Sequence, residues 1–167
     1  MTDTLALQSL PLFPLGTVLF PGGYLPLQIF EVRYLDMIGK CFKTGAPFGV
    51  VSLNRGSEVR QAPGNKPGGD SFAQEIFYPT GTLARITHLS RPQAGLMLIQ
   101  CTGEQRFTVS NHHLLKHGLW VADVVLQPAD QQIAIPPDLL AVATTLKRVI
   151  KTLKDQQLES DQMPIQD

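Results

Sequence analysis

The chain has 167 residues, 43% hydrophobic and 17% charged. That length and apolar content suit about one domain with a buried core and exclude a wholly disordered chain. Fourteen basic and fourteen acidic residues leave no formal net charge, so the broad positive field that draws proteins to nucleic acid or anionic lipid is missing.

The N-terminal segment MTDTLALQSLPLFP has an acid and no basic region, and Pro11 and Pro14 interrupt its apolar residues, so it does not read as a signal peptide. No run approaches the roughly 18 uninterrupted apolar residues of a spanning helix. Cys41 and Cys101 stand alone, without a CxxC, as buried thiols of a reducing compartment do. The expectation is a soluble, cytoplasmic protein with no membrane contact.

The first elements are short. Thr17–Phe20 predicts a brief strand, Pro21-Gly22-Gly23 a turn, and Tyr24–Ile29 a second strand with Leu25, Leu27 and Ile29 on one face. Pro14 and Pro26 cannot donate to a ladder and belong at edges or bulges, a pattern that suits a strongly bent sheet. From Glu31 the period becomes helical through Tyr34, Met37 or Ile38, and Cys41 or Phe42, with Gly45 as the stop. Pro47–Leu53 predicts a strand.

Arg55–Gln74, with four glycines and two prolines, reads as a long mobile loop. Gly81–Leu89 alternates as a strand. Leu96–Val109 predicts two strands hinged or bulged at Gly103, Asn111–Gly118 a turn or short helical turn, and Leu119–Gln127 another strand. With no long helices between these strands, most pairing should be antiparallel. A last helix starts at Pro136-Pro137-Asp138. Its stripe of Leu139, Val142, Ala143, Leu146, Val149, Ile150 and Leu153 is expected to bury against the sheet or a neighbouring helix. Residues 1–155 form one domain in this reading, and 156–167 a flexible tail.

Candidate chemistry is sparse. His113 and His117 are four apart, beside His112, but no HExxH or CxxC completes a zinc set, and a solvated histidine-rich loop is the preferred reading. No GxSxG elbow activates a nucleophile, and GNKPGGDS lacks the register of a phosphate loop. No catalytic, cofactor-binding or metal-binding residue is assigned. In FEVRY, Glu31 reads as an N-terminal helix acid, Arg33 as a surface residue or salt-bridge partner, and Tyr34 as core. Gly103 and Arg106 of GEQRF read as a bulge and a strand tie.

Taken in order, LPLFPLGTVLFPGGYLPLQIFEVRY, FGVV, GTLARI and GEQRFTV resemble the N-terminal domain of Lon-type ATP-dependent proteases, over about Leu10 to Val125. Signature positions are filled by Pro14, Leu15, Pro21, Gly22, Pro26, Leu27, Phe30, Glu31, Arg33 and Tyr34. Gly81–Ile86 and Gly103, Arg106 and Phe107 fill the later ones. Val32 departs from a frequent proline, and RPQAG from the usual acidic-Gly hairpin. The resemblance implies a mainly β fold with flanking helices, a PUA-like pseudo-barrel of about six strands.

It also implies a non-catalytic module that binds unfolded or apolar polypeptide, an adaptor in protein quality control working with a separate protease or chaperone. The AAA+ ATPase and Ser-Lys peptidase regions of Lon proteases are not in these 167 residues. RNA binding, known among PUA-like barrels, is the alternative; neutral charge and the lack of a basic-aromatic ladder disfavour it. An enzyme of another type has no candidate site. Along the Tyr24–Tyr34 segment, Tyr24, Pro26, Gln28 and Phe30 are the expected polypeptide contacts, with Glu31 and Arg33 as a polar rim.

Overall fold

The computed structural model describes residues 5–55 and 76–161. The loop expected at 55–74 therefore lies outside the described residues, apart from the backbone of Arg55. The chain divides into two compact units, Met1–Ala129 and Asp130–Asp167.

The first unit is a bent sheet of six strands, β1 (Ala6–Leu15), β2 (Tyr24–Ile29), β3 (Phe48–Arg55), β4 (Ile76–Gln93), β5 (Leu96–Leu114) and β6 (Trp120–Leu126), with helix α1 (Val32–Thr44) between β2 and β3. The order is β2-β5-β4-β3-β1-β6, and a further β5–β6 pairing joins the ends of the last five strands into a ring. One pairing, β1 with β3, is parallel; the others are antiparallel. β2 lies outside the ring and, among the described residues, pairs with β5 alone. This is the expected mainly β pseudo-barrel, ring-like but incompletely regular.

Both faces of the ring are apolar, so neighbours in sequence enter different cores. Leu10, Leu12, Val51, Leu83, Phe107, Ala122 and Val124, from all five ring strands, cluster together and fill the interior. The space is tight. A Cβ on Gly81 would stand 2.4 Å from the Phe107 ring and 2.6 Å from the Val50 carbonyl oxygen, so only glycine fits there. The alternate residues Phe13, Val50, Ala84 and Val121 join the other cluster. α1 covers that face with Tyr34, Met37, Ile38 and Cys41, all buried, and Gly45 follows the helix in the left-handed conformation. Burial raises the Cys41 thiol pKa and pushes that of Cys101 up to about 12.

Three local expectations change. β1 takes Ala6–Leu15, and Thr17–Phe20 is not a strand. After a bend at Gly16 and Thr17, Leu19 turns into the core, and its carbonyl accepts the Thr82 hydroxyl at 2.6 Å. β5 runs through Gly103 as one strand rather than two, and the expected bulge is beside it, where the register with β4 shifts between the Arg106 and Gly103 pairs. The missing side chain of Gly103 makes room for the Phe20 carbonyl, which a Cβ would meet at 2.2 Å. The turn expected over Asn111–Gly118 is confined to Leu115–Gly118, where the Gly118 N–H donates to the Leu115 carbonyl at 2.8 Å; Asn111–Leu114 belongs to β5, since Asn111, His112, His113 and Leu114 pair with β6. Adjacent histidines therefore face opposite ways, and the four-residue spacing to His117 carries no helical meaning.

Pro14 lies past Leu12, the last β1 residue paired with β6, where the strand is locally one-sided and a missing donor costs little. Pro26 lies in the outermost strand, as expected.

The second unit contains a 3₁₀ turn (Pro137–Leu139) and helix α2 (Leu140–Asp161). The helix begins where expected and continues past 156 to Asp161; 162–167 lie outside the described residues. The expected burial of its stripe is not found. Leu146 is 57% exposed, and Leu139, Val142, Val149, Ile150 and Leu153 are exposed as well. Within this unit no second long element exists among the described residues to cover them.

Candidate functional site

β2 is anchored at its start by a small backbone knot. The Gly22 N–H donates to the Gly103 carbonyl at 2.8 Å, and the Gly103 N–H donates to the Gly23 carbonyl at 2.8 Å. Antiparallel strands turn successive residues toward and away from the partner, so Leu25, Leu27 and Ile29 bond to β5. Tyr24, Pro26 and Gln28 turn their backbone groups to the open edge. Among the described residues no strand pairs with that edge.

A cavity of about 240 Å³ lies along it, lined by Pro26, Leu27, Gln28, Ile29, Phe30 and Glu31 together with Phe13, Leu15 and Tyr34. Four of these residues, Pro26 to Ile29, are the C-terminal part of β2, and Phe30 and Glu31 continue the lining just past its end. Its floor is apolar: Phe13, Leu15, Ile29 and Tyr34 are core residues, and the Phe13 and Tyr34 rings stack 3.9 Å apart. On the other face of the same strands, Pro26, Gln28, His88, Ser90, Leu98 and Gln100, with Leu27 and Ile99, line a depression of about 450 Å³ of mixed polarity.

Of the six expected contact residues, Pro26, Gln28, Phe30 and Glu31 come together at the edge cavity. Tyr24 is 60% exposed at the other end of β2 and does not line it. Arg33 points elsewhere. It is 5% exposed, its Nε donates to Glu31 Oε2 at 3.0 Å, and its Nη1 donates to the Gly118 carbonyl at 2.9 Å. Its guanidinium also lies 4.4 Å from the centroid of the Tyr34 ring. Arg33 is thus a clasp between α1 and the β5–β6 turn, while Glu31 is half-buried and fixed by it. Sequence reading missed Phe13, Leu15 and Tyr34 as a cavity floor. The two residues flanking Pro14 carry no signal beyond apolarity, and the fold alone brings them under β2.

A second cleft of about 410 Å³ runs between α1 and the β5–β6 turn, with Met37, Cys41, Leu119 and Val121 at its base and Asp36, Lys40, His113 and His117 at its margin. Asp36 and Lys40 pair with each other at 2.7 Å across one helical turn. His112 is elsewhere, packed edge-on against Phe77 with ring centroids 5.1 Å apart and beside Trp120 at 5.4 Å. No group of three or more metal-ligating side chains is found among the described residues.

No curated protein matches the sequence. The fold is similar to a crystal structure of a Lon N-terminal domain protein from Xanthomonas campestris, at 30% identity and a TM-score of 0.66, over 86% of this chain and 74% of that one. It also resembles the N-terminal domain of a Mycobacterium avium complex Lon protease. That match has 13% identity and a TM-score of 0.52, covers 92% and 72% of the two chains, and speaks for the fold alone. The family model for the substrate-binding domain of ATP-dependent protease La (Lon) matches residues 9–166. The chain belongs to the Lon substrate-binding domain family.

Proposed function

We propose that this protein holds extended, apolar polypeptide along the open edge of β2, without chemistry of its own, and presents it to a separate protease or chaperone. The observation that carries the reading is an apolar-floored cavity beside a strand edge with which no strand among the described residues pairs. An edge of this kind accepts a peptide strand through its backbone, and the cavity supplies an apolar preference that many sequences satisfy. Phe30, half exposed beside the cavity, adds apolar contact, and Glu31 gives the site a polar margin. Affinity is expected to be micromolar or weaker, since a flexible client loses conformational entropy on ordering and a permissive site fits no client closely.

The test is titration with a permanently unfolded, reduced and alkylated protein while backbone amide shifts are recorded. Shifts concentrated at residues 24–31 are expected. No shifts, or shifts confined to the Asp36–His117 cleft or to α2, would overturn the proposal.

A further inference from the structure

We infer that Pro26 sets both the pattern and the strength of client binding: β2 takes a strand with apolar residues at every second position, held through the backbone of Tyr24, Pro26 and Gln28, with one ladder bond missing at Pro26. This rests on the reading above and adds the hydrogen-bond pattern and the chemical class of the client.

The pattern follows from the knot at Gly103. Because the Gly23 carbonyl faces β5, the alternation leaves Tyr24 and Gln28 each offering an N–H and a carbonyl to the open edge, while Pro26 offers a carbonyl only. A strand laid there meets three acceptors but two donors. Every client residue that bonds to this edge has the same parity, whichever way the client runs, because strand backbones alternate with a period of two. Its two faces also meet different surfaces. One lies over Phe13, Leu15, Ile29 and Tyr34. The other continues the face formed by Pro26, Gln28, His88, Ser90, Leu98 and Gln100, four of them polar. The fitting client is therefore an extended segment that alternates apolar and polar residues and has free N–H groups at every second position.

Pro26 serves as a governor on this edge. An unpaired strand with a full set of donors and acceptors is a template for tight, indiscriminate pairing. Removing the central donor weakens every client by the same backbone term, whatever its side chains, and suits a site that must release what it holds.

The experiment uses a blocked octapeptide of alternating valine and threonine with lysine at each end, and a set of its copies N-methylated at one position each. With the wild-type protein, N-methylation is expected to weaken binding at alternate positions and to leave the intervening ones unchanged. Pro26→Ala restores the N–H and is expected to tighten the unmodified peptide roughly threefold to tenfold, the worth of one net hydrogen bond. Equal sensitivity at adjacent positions, or none at any, would overturn the inference, as would a folded Pro26→Ala protein with unchanged affinity. If that variant does not fold, the N-methyl scan on the wild type decides alone. Binding of the unfolded protein at β2 without the period-two pattern overturns this inference and spares the proposed function. Failure of the unfolded protein to bind at β2 overturns the function itself.

Discussion

α1 and α2 look alike in sequence and differ in the fold. Each carries apolar residues at helical spacing. In α1 that face is covered, with Tyr34 at 2% exposure and Ile38 at 0%; in α2 the same kind of stripe is open, with Ile150 at 45% and Leu153 at 59%. Periodicity marks which face of a helix is apolar, but its cover must come from other elements. For α1 the cover is the outer face of the sheet, and Arg33 straps the helix to Gly118 across 85 positions of sequence.

The comparison can be broken most directly at Ile38. Ile38→Ala should cost about 2–5 kcal/mol, since it empties a fully enclosed site, read as a lower denaturation midpoint with unchanged slope. Next is Arg33→Ala, expected to cost about 2–3 kcal/mol because the Gly118 carbonyl and the Glu31 carboxylate lose a buried donor. Amide exchange should then quicken in α1 and in the turn before β6. Arg33→Lys should fall between the wild type and Arg33→Ala, since an ammonium keeps the charge but cannot reproduce the two-directional fork. If Arg33→Ala left both stability and exchange unchanged, the clasp would be incidental.

The smallest effect belongs to α2. Leu146→Ala should change stability by no more than about 0.5 kcal/mol, as expected for an exposed position where alanine also favours helix. A loss near the Ile38 value, growing with protein concentration, would show that the stripe is covered by a second copy in solution, and the contrast between the helices would vanish.

Much of the fold was legible in the sequence where local chemistry and tertiary structure agree. Pro21-Gly22-Gly23 marked the turn into β2, the apolar spacing after Glu31 marked α1 and its buried face, and Pro26 marked an outer strand. The misses share one cause. Gly103 marked the bulge correctly, but did not show that β5 continues through it or that the glycine accommodates a carbonyl from Phe20, more than eighty residues earlier. Thr17–Phe20 has strand-like composition, but Leu19 is claimed by the core and by Thr82. At the candidate site, Pro26, Gln28, Phe30 and Glu31 could be proposed because they are contiguous, whereas Phe13 and Leu15 reach the cavity only through the fold. Arg33 was legible as a salt-bridge partner, and it pairs with Glu31, but its bond to the Gly118 carbonyl in a distant turn was not.

Closing the ring has a consequence for how the chain acquires its structure. β1 is the first described strand of its unit, and its antiparallel partner is the last: the Ser9 N–H meets Asp123 Oδ1 across 114 positions of sequence. Leu10 and Leu12 cannot be enclosed until Ala122 and Val124 arrive. Loop closure over such separations slows folding, and apolar strands waiting for a late partner are exposed to aggregation. The nascent protein thus passes through the kind of extended, apolar, unpaired state that its finished β2 edge is proposed to recognise in others.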